Sequence, residues 1–74
     1  MKKYILVSVS EREIVLSYHD THKSAYKQMV EEMNETGNRR YYSEGEDYWL
    51  DRYYAWSNMN SNCNCDWLIE KLPI

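Results

Sequence analysis

Apolar residues come in two short runs at the start of the chain, Tyr4-Ile5-Leu6-Val7-Ser8-Val9 and Glu13-Ile14-Val15-Leu16-Ser17-Tyr18, both rich in β-branched side chains. Each predicts a strand. The polar residues Ser10, Glu11, Arg12 and Glu13 at their junction suit a tight turn, although no glycine is there to set a primed one. With Val9 opposite Ile14, Val7 meets Leu16 and Ile5 meets Tyr18, so these apolar side chains share one face. A slip of one residue would scatter them. The other face, with Tyr4, Leu6, Ser8, Val15, Ser17 and His19, is mixed. Ile5, Val7, Val9, Ile14 and Leu16 are therefore expected in the core.

From Asp20 or Thr21, either of which supplies a capping oxygen, to about Glu35 the period becomes that of a helix. Ala25, Tyr26, Met29, Val30 and Met33 form its apolar stripe, with Ala25, Met29, Val30 and Met33 expected to be buried, and Lys23, Lys27, Glu31 and Glu35 line the opposite side. Gly37-Asn38 is a stop signal, where glycine can take the left-handed conformation. Asn38 to Asp47 reads as a polar loop, and Tyr48 to Ser57 as an alternating aromatic strand. Asn58 to Asn64 is a loop rich in Asn and Ser. Cys65 to Leu72 is a last strand that Pro73 ends, with Trp67 and Ile69 buried. The order ββαββ predicts a single α+β domain over residues 1–74, with a four-stranded, mostly antiparallel sheet and one helix. One helix covers one face of such a sheet, which leaves the other to water, a second copy or a partner.

Size and charge narrow the function. A chain of 74 residues has a thin core, and below ~80 residues a single core rarely contributes more than about 3–5 kcal/mol net. A net charge of −3 with nine Lys and Arg argues against direct nucleic-acid binding. No apolar run approaches a membrane span. The run after Met1-Lys2-Lys3 is too short for a secretory signal, so a cytoplasmic protein with reduced Cys63 and Cys65 is expected.

Catalytic chemistry has little to build on. His19, His22, Cys63 and Cys65 are zinc-ligand types, but Cys-x-Cys with His-x-x-His is badly spaced for zinc, and neither a metal nor another cofactor is expected. His19-Asp20-Thr21 matches half of a paired phosphoesterase motif whose second half is missing, and a helix cap accounts for it better. With two glycines there is no phosphate-binding loop, and no nucleophile elbow or metalloprotease helix occurs. The sequence therefore predicts a non-enzymatic protein.

The aromatic residues are unevenly placed: eight of eleven fall between Tyr41 and Trp67. In the expected third strand, Tyr48, Leu50, Arg52, Tyr54 and Trp56 alternate with Trp49, Asp51, Tyr53 and Ala55, so large rings lie on both sides. Half-buried tyrosines with wet hydroxyls are one reading of them. A recognition surface is the other, since Tyr and Trp bring large contact area at low entropic cost. On that reading Tyr48, Trp49, Tyr53, Tyr54 and Trp56 contain the anchors, and the acids Glu44, Glu46, Asp47 and Asp51 steer a basic partner. Arg39-Arg40 followed by Tyr41-Tyr42 supports an alternative, in which the guanidinium pair holds a nucleotide phosphate and a ring stacks on the base. The competing account is a solvated loop whose cations suit the helix end.

Ala55-Trp56-Ser57-Asn58 with Cys65-Asp66-Trp67-Leu68-Ile69, and Thr21-His22-Lys23-Ser24-Ala25-Tyr26 with Met29, resemble the tail and helix start of small uncharacterised bacterial and prophage proteins. The resemblance covers about half of the chain and carries no catalytic residues. It implies a mobile-element setting, from which anti-CRISPR and other anti-defence inhibitors are drawn. The expected function is a protein-binding inhibitor of a larger partner, such as a nucleic-acid-binding defence protein. A dimeric structural protein is a further alternative.

Overall fold

A computed structural model describes residues 1–60 and 64–73. Over these residues it is an α+β fold of one helix on one antiparallel sheet. The strands are β1 (Tyr4–Val9), β2 (Ile14–His19), β3 (Tyr48–Leu50), β4 (Tyr54–Ser57) and β5 (Cys65–Lys71), in the spatial order β2-β1-β5-β4-β3. The helix α1 spans His22–Thr36, and a short 3₁₀ turn covers Arg39–Tyr41.

The sheet thus has five strands where four are expected. The aromatic stretch from Tyr48 to Ser57 is a hairpin, with Leu50 opposite Ala55 and Tyr48 opposite Ser57. Asp51 turns it: its amide donates to the Tyr54 carbonyl at 2.8 Å, and its carboxylate accepts from the Arg52 amide. The turn reverses the alternation. Tyr48 and Leu50 lie on the same side as Ala55 and Ser57, whereas Trp49 lies with Tyr54 and Trp56. No Gly, Pro or Asn marks this turn, so the strand signal runs through it unbroken.

The first hairpin has the expected register, Val9 on Ile14, Val7 on Leu16 and Ile5 on Tyr18. Its faces are the reverse of those expected. The helix lies over the mixed face, burying Leu6, while Val9, Ile14 and Leu16 are exposed and Ile5 and Val7 half-buried. Val30 is also half-buried rather than buried. The reason lies in β5, the middle strand. It pairs with β1 through Leu6–Ile69 and Ser8–Trp67, so Leu6 and Ser8 must share a side with Trp67 and Ile69. The opposite side of β5 carries Asp66 and Glu70. A helix there would bury two unpaired carboxylates, at several kcal/mol each.

The core so formed consists of Leu6, Ala25, Met29, Met33, Ala55, Met59, Trp67 and Ile69. Polar ties fasten the helix to it. The half-buried Glu32 carboxylate accepts from Ser8 Oγ at 2.8 Å, Trp67 Nε1 at 3.1 Å and Gln28 Nε2 at 2.7 Å. The hydroxyls of Thr36 and Ser57 lie 2.7 Å apart. The helix starts at the Thr21 cap, whose Oγ1 accepts from the Ser24 amide, while Asp20 faces Lys2. Gly37 is extended (φ 168°) rather than left-handed. What requires a glycine is crowding, since a Cβ at this position would stand 2.9 Å from Met59 Cβ.

Leu6→Ala is expected to cost about 2–5 kcal/mol in urea denaturation, the range for truncating a buried leucine. A loss below about 0.5 kcal/mol would put Leu6 on the open face instead.

Candidate functional site

The uncovered face of the sheet is built in rows across the strands. Leu16, Val7, Leu68 and Tyr54 make one row; Ile14, Val9, Asp66, Trp56 and Trp49 make the next; Tyr18, Ile5 and Glu70 make the third. Two halves differ in chemistry. The β2–β1 half presents Ile5, Val7, Val9, Ile14, Leu16 and Tyr18, none of them charged. The β5–β4–β3 half carries the acids Asp66 and Glu70 and sets rings beside the first, with Trp49 on Trp56, Trp56 beside Asp66, and Tyr54 beside Leu68.

Of the expected anchors, Trp49, Tyr54 and Trp56 meet on this half. Tyr48 does not, because it points to the helix side and packs against the core. Tyr53 sits in the β3–β4 turn, its ring 4.5 Å from that of His22. His22 is also ringed by Tyr4 and Tyr26, and its Nε2 donates to the Arg52 carbonyl at 2.6 Å. This imidazole thus locks the helix start to the turn.

The acids separate in the same way. Asp47 Oδ2 accepts from the Ser43 amide at 2.8 Å, and the Asp47 carbonyl accepts from Asn58, so it staples its loop. Asp51 caps the hairpin turn. Glu44 and Glu46 are exposed in the loop that enters β3, around Gly45, whose φ of 90° requires glycine. The acids on this half of the face are Asp66, beside the rings, and Glu70, in the row of Ile5 and Tyr18; the sequence pattern alone does not single them out. The signal they carry is a shared side: in Cys65–Lys71, Asp66, Leu68 and Glu70 alternate with Trp67 and Ile69.

Tyr54 donates from its hydroxyl to Asp66 Oδ1 at 3.3 Å. Its phenol is held above the ordinary tyrosine value by loss of hydration against the sheet, then by the Asp66 charge and this hydrogen bond. The ring stays 41% exposed, so the carboxylate is the part a substitution can remove.

Elsewhere, Arg39 and Arg40 line a 440 Å³ cleft with Asn34 and Asn38. Neither arginine has a carboxylate within ion-pair distance among the described residues. Tyr41 beside them is 79% exposed, and Tyr42 lies close to Gly37. A second cleft, of 610 Å³, opens between the helix and the β1–β2 turn, with Glu13, Glu32 and Glu35 on its walls. Cys65 does not meet the histidines, because β5 begins at the Val9 end of β1 whereas His19 pairs with Tyr4 at the other end. His19 instead bonds Ser24 and Ser17. Cys63 lies outside the described residues. No helix among the described residues is long and apolar enough to cross a membrane.

Asp66→Asn is expected to lower the Tyr54 pKa toward its ordinary value, followed by NMR titration of the ring. The sign is set by the raised folded-state value. The proton is held more tightly in the folded chain, so its contribution to stability is present at neutral pH and is lost as the pH climbs past the folded pKa. An unchanged titration would mean that Asp66 does not act on Tyr54.

No family model, curated protein or solved structure matches the chain.

Proposed function

We propose that the chain is a non-enzymatic inhibitor that docks on a larger protein through the β5–β4–β3 half of its open sheet face. The observation that carries this is the placement of Tyr54 and Trp56 beside Asp66, with Trp49 next to Trp56, on a face that no other described part of the chain covers. Tyr and Trp dominate the energetics of protein interfaces. The two acids favour a partner that combines apolar surface with Lys or Arg, because opposite charges steer docking and exclude wrong partners. A nucleic-acid-binding protein presents such a surface, which suits a cytoplasmic inhibitor of a bacterial defence nuclease. Glu44 and Glu46 extend the negative field beside β3. The histidines support a binding role as well, since both rings are engaged in structural hydrogen bonds.

A second reading rests on Arg39 and Arg40, two cations in one cleft with no ion-pair partner among the described residues and next to the exposed Tyr41. That arrangement suits a nucleotide phosphate with a stacked base. Calorimetry against nucleotides and cyclic dinucleotides tests it. Micromolar binding abolished by Arg39→Ala would raise it above the protein-binding reading.

For the main reading, Trp49→Ala, Tyr54→Ala and Trp56→Ala are compared with wild type for capture of a partner from bacterial lysate, and for melting temperature. At least one should weaken binding by about 2 kcal/mol or more with the fold intact. A partner held equally well by all three variants, or binding lost strictly in step with stability, would overturn the assignment.

A further inference from the structure

The β2–β1 half of the open face has a different chemistry, and the aromatic half does not account for it. Ile14 is 67% exposed, Leu16 50%, Tyr18 52% and Val9 37%, with Ile5 and Val7 half-buried between them. Isolated exposed apolar residues are ordinary, but a contiguous set above a few hundred Å² marks a contact surface on a soluble protein. Inside, by contrast, the described core includes two alanines and three methionines among eight side chains. More branched apolar bulk therefore lies on this hairpin's outer face than under the helix.

We infer that this half-face is the contact between two copies of the chain, stacked sheet on sheet. Three observations choose a second copy over a foreign partner. First, the six side chains carry no charge, and the Tyr18 hydroxyl is their one polar group, so nothing in them encodes a distinct partner, while flat apolar strands fit their own copy. Antiparallel sheets pack in this way at about 10 Å with interdigitating side chains. Second, the area suffices: exposures of this size leave roughly 400–500 Å² per copy, and two copies with their rims reach about 1,000 Å², the lower bound for a specific interface. Third, the charges fix the geometry. Full overlap of the two faces would press Asp66 and Glu70 of both copies together. A two-fold axis along the strands over the β1–β2 pair keeps all four acids outside the contact. It also leaves Trp49, Tyr54 and Trp56 open on both copies, so the dimer neither needs nor blocks the docking proposed above.

Sedimentation equilibrium of the wild-type chain is expected to give twice the 9.0 kDa of one chain at micromolar concentration. The melting temperature should rise with concentration, as it does when folding is linked to association. Leu16→Asp, which places a like charge from each copy in the contact, should raise the dissociation constant by at least about a hundredfold. Trp56→Ala should leave the mass unchanged. A single-chain mass up to about 100 μM with a melting temperature independent of concentration overturns the inference. So does a dimer that survives Leu16→Asp, because pairing along the free edge of β2 would leave Leu16 outside. If Leu16→Asp fails to fold, the wild-type concentration dependence of melting decides: present it supports the dimer, absent it refutes it.

Discussion

The middle strand decides how this small protein is arranged. The described residues form five strands and one helix, and the helix packs across β5, the central strand, and its neighbours β1 and β4. β5 offers Trp67 and Ile69 on one side and Asp66, Leu68 and Glu70 on the other. Burying the indole and the isoleucine contributes roughly 1.5–3 kcal/mol per side chain, whereas burying two carboxylates without partners costs more than that gain. The helix therefore takes the Trp67 side, and every neighbouring strand inherits the choice through its register. β1 must bring Leu6 and Ser8 inward, and Ile5, Val7 and Val9 go out with the acids.

The inner face is adapted to its helix. Small residues, Ser8, Ala55 and Ser57, let the helix come close, and the two serine hydroxyls need partners under it. Glu32 and Thr36 supply them, and Glu32 also receives the Trp67 indole, so the polar atoms of this interface are matched across it. The outcome is a two-layer slab, 39 × 24 × 16 Å, with one well-satisfied interior and one bare apolar and aromatic exterior. A short chain built this way gains by being covered, and the two halves of the bare face differ enough in chemistry to take different occupants.

Local signals carried much of this into the sequence. The helix and its buried Ala25, Met29 and Met33 follow from a 3.6-residue stripe, and the β1–β2 register follows from the apolar pairing. Two misreadings had distinct causes. The break of the aromatic stretch at Asp51-Arg52 was hidden because the turn is held by an aspartate and needs no glycine. The inverted hairpin was hidden because its faces are set by β5, which joins β1 across more than fifty residues of chain. Judged alone, Ile5 and Leu16 are the better core residues. Judged beside Asp66 and Glu70, they cannot be. The same omission concealed the acids of the candidate site, which sit on the positions of β5 that alternate with its buried ones.

The side of the sheet on which the helix lies can be measured directly. With the methionine methyls labelled, nuclear Overhauser contacts from Met29 and Met33 should reach the inward set of Leu6, Trp67 and Ile69, and none should reach Val7 or Leu16 within one chain. Contacts from those methyls to Val7 and Leu16, with Leu6 silent, would place the helix on the opposite face and contradict the account.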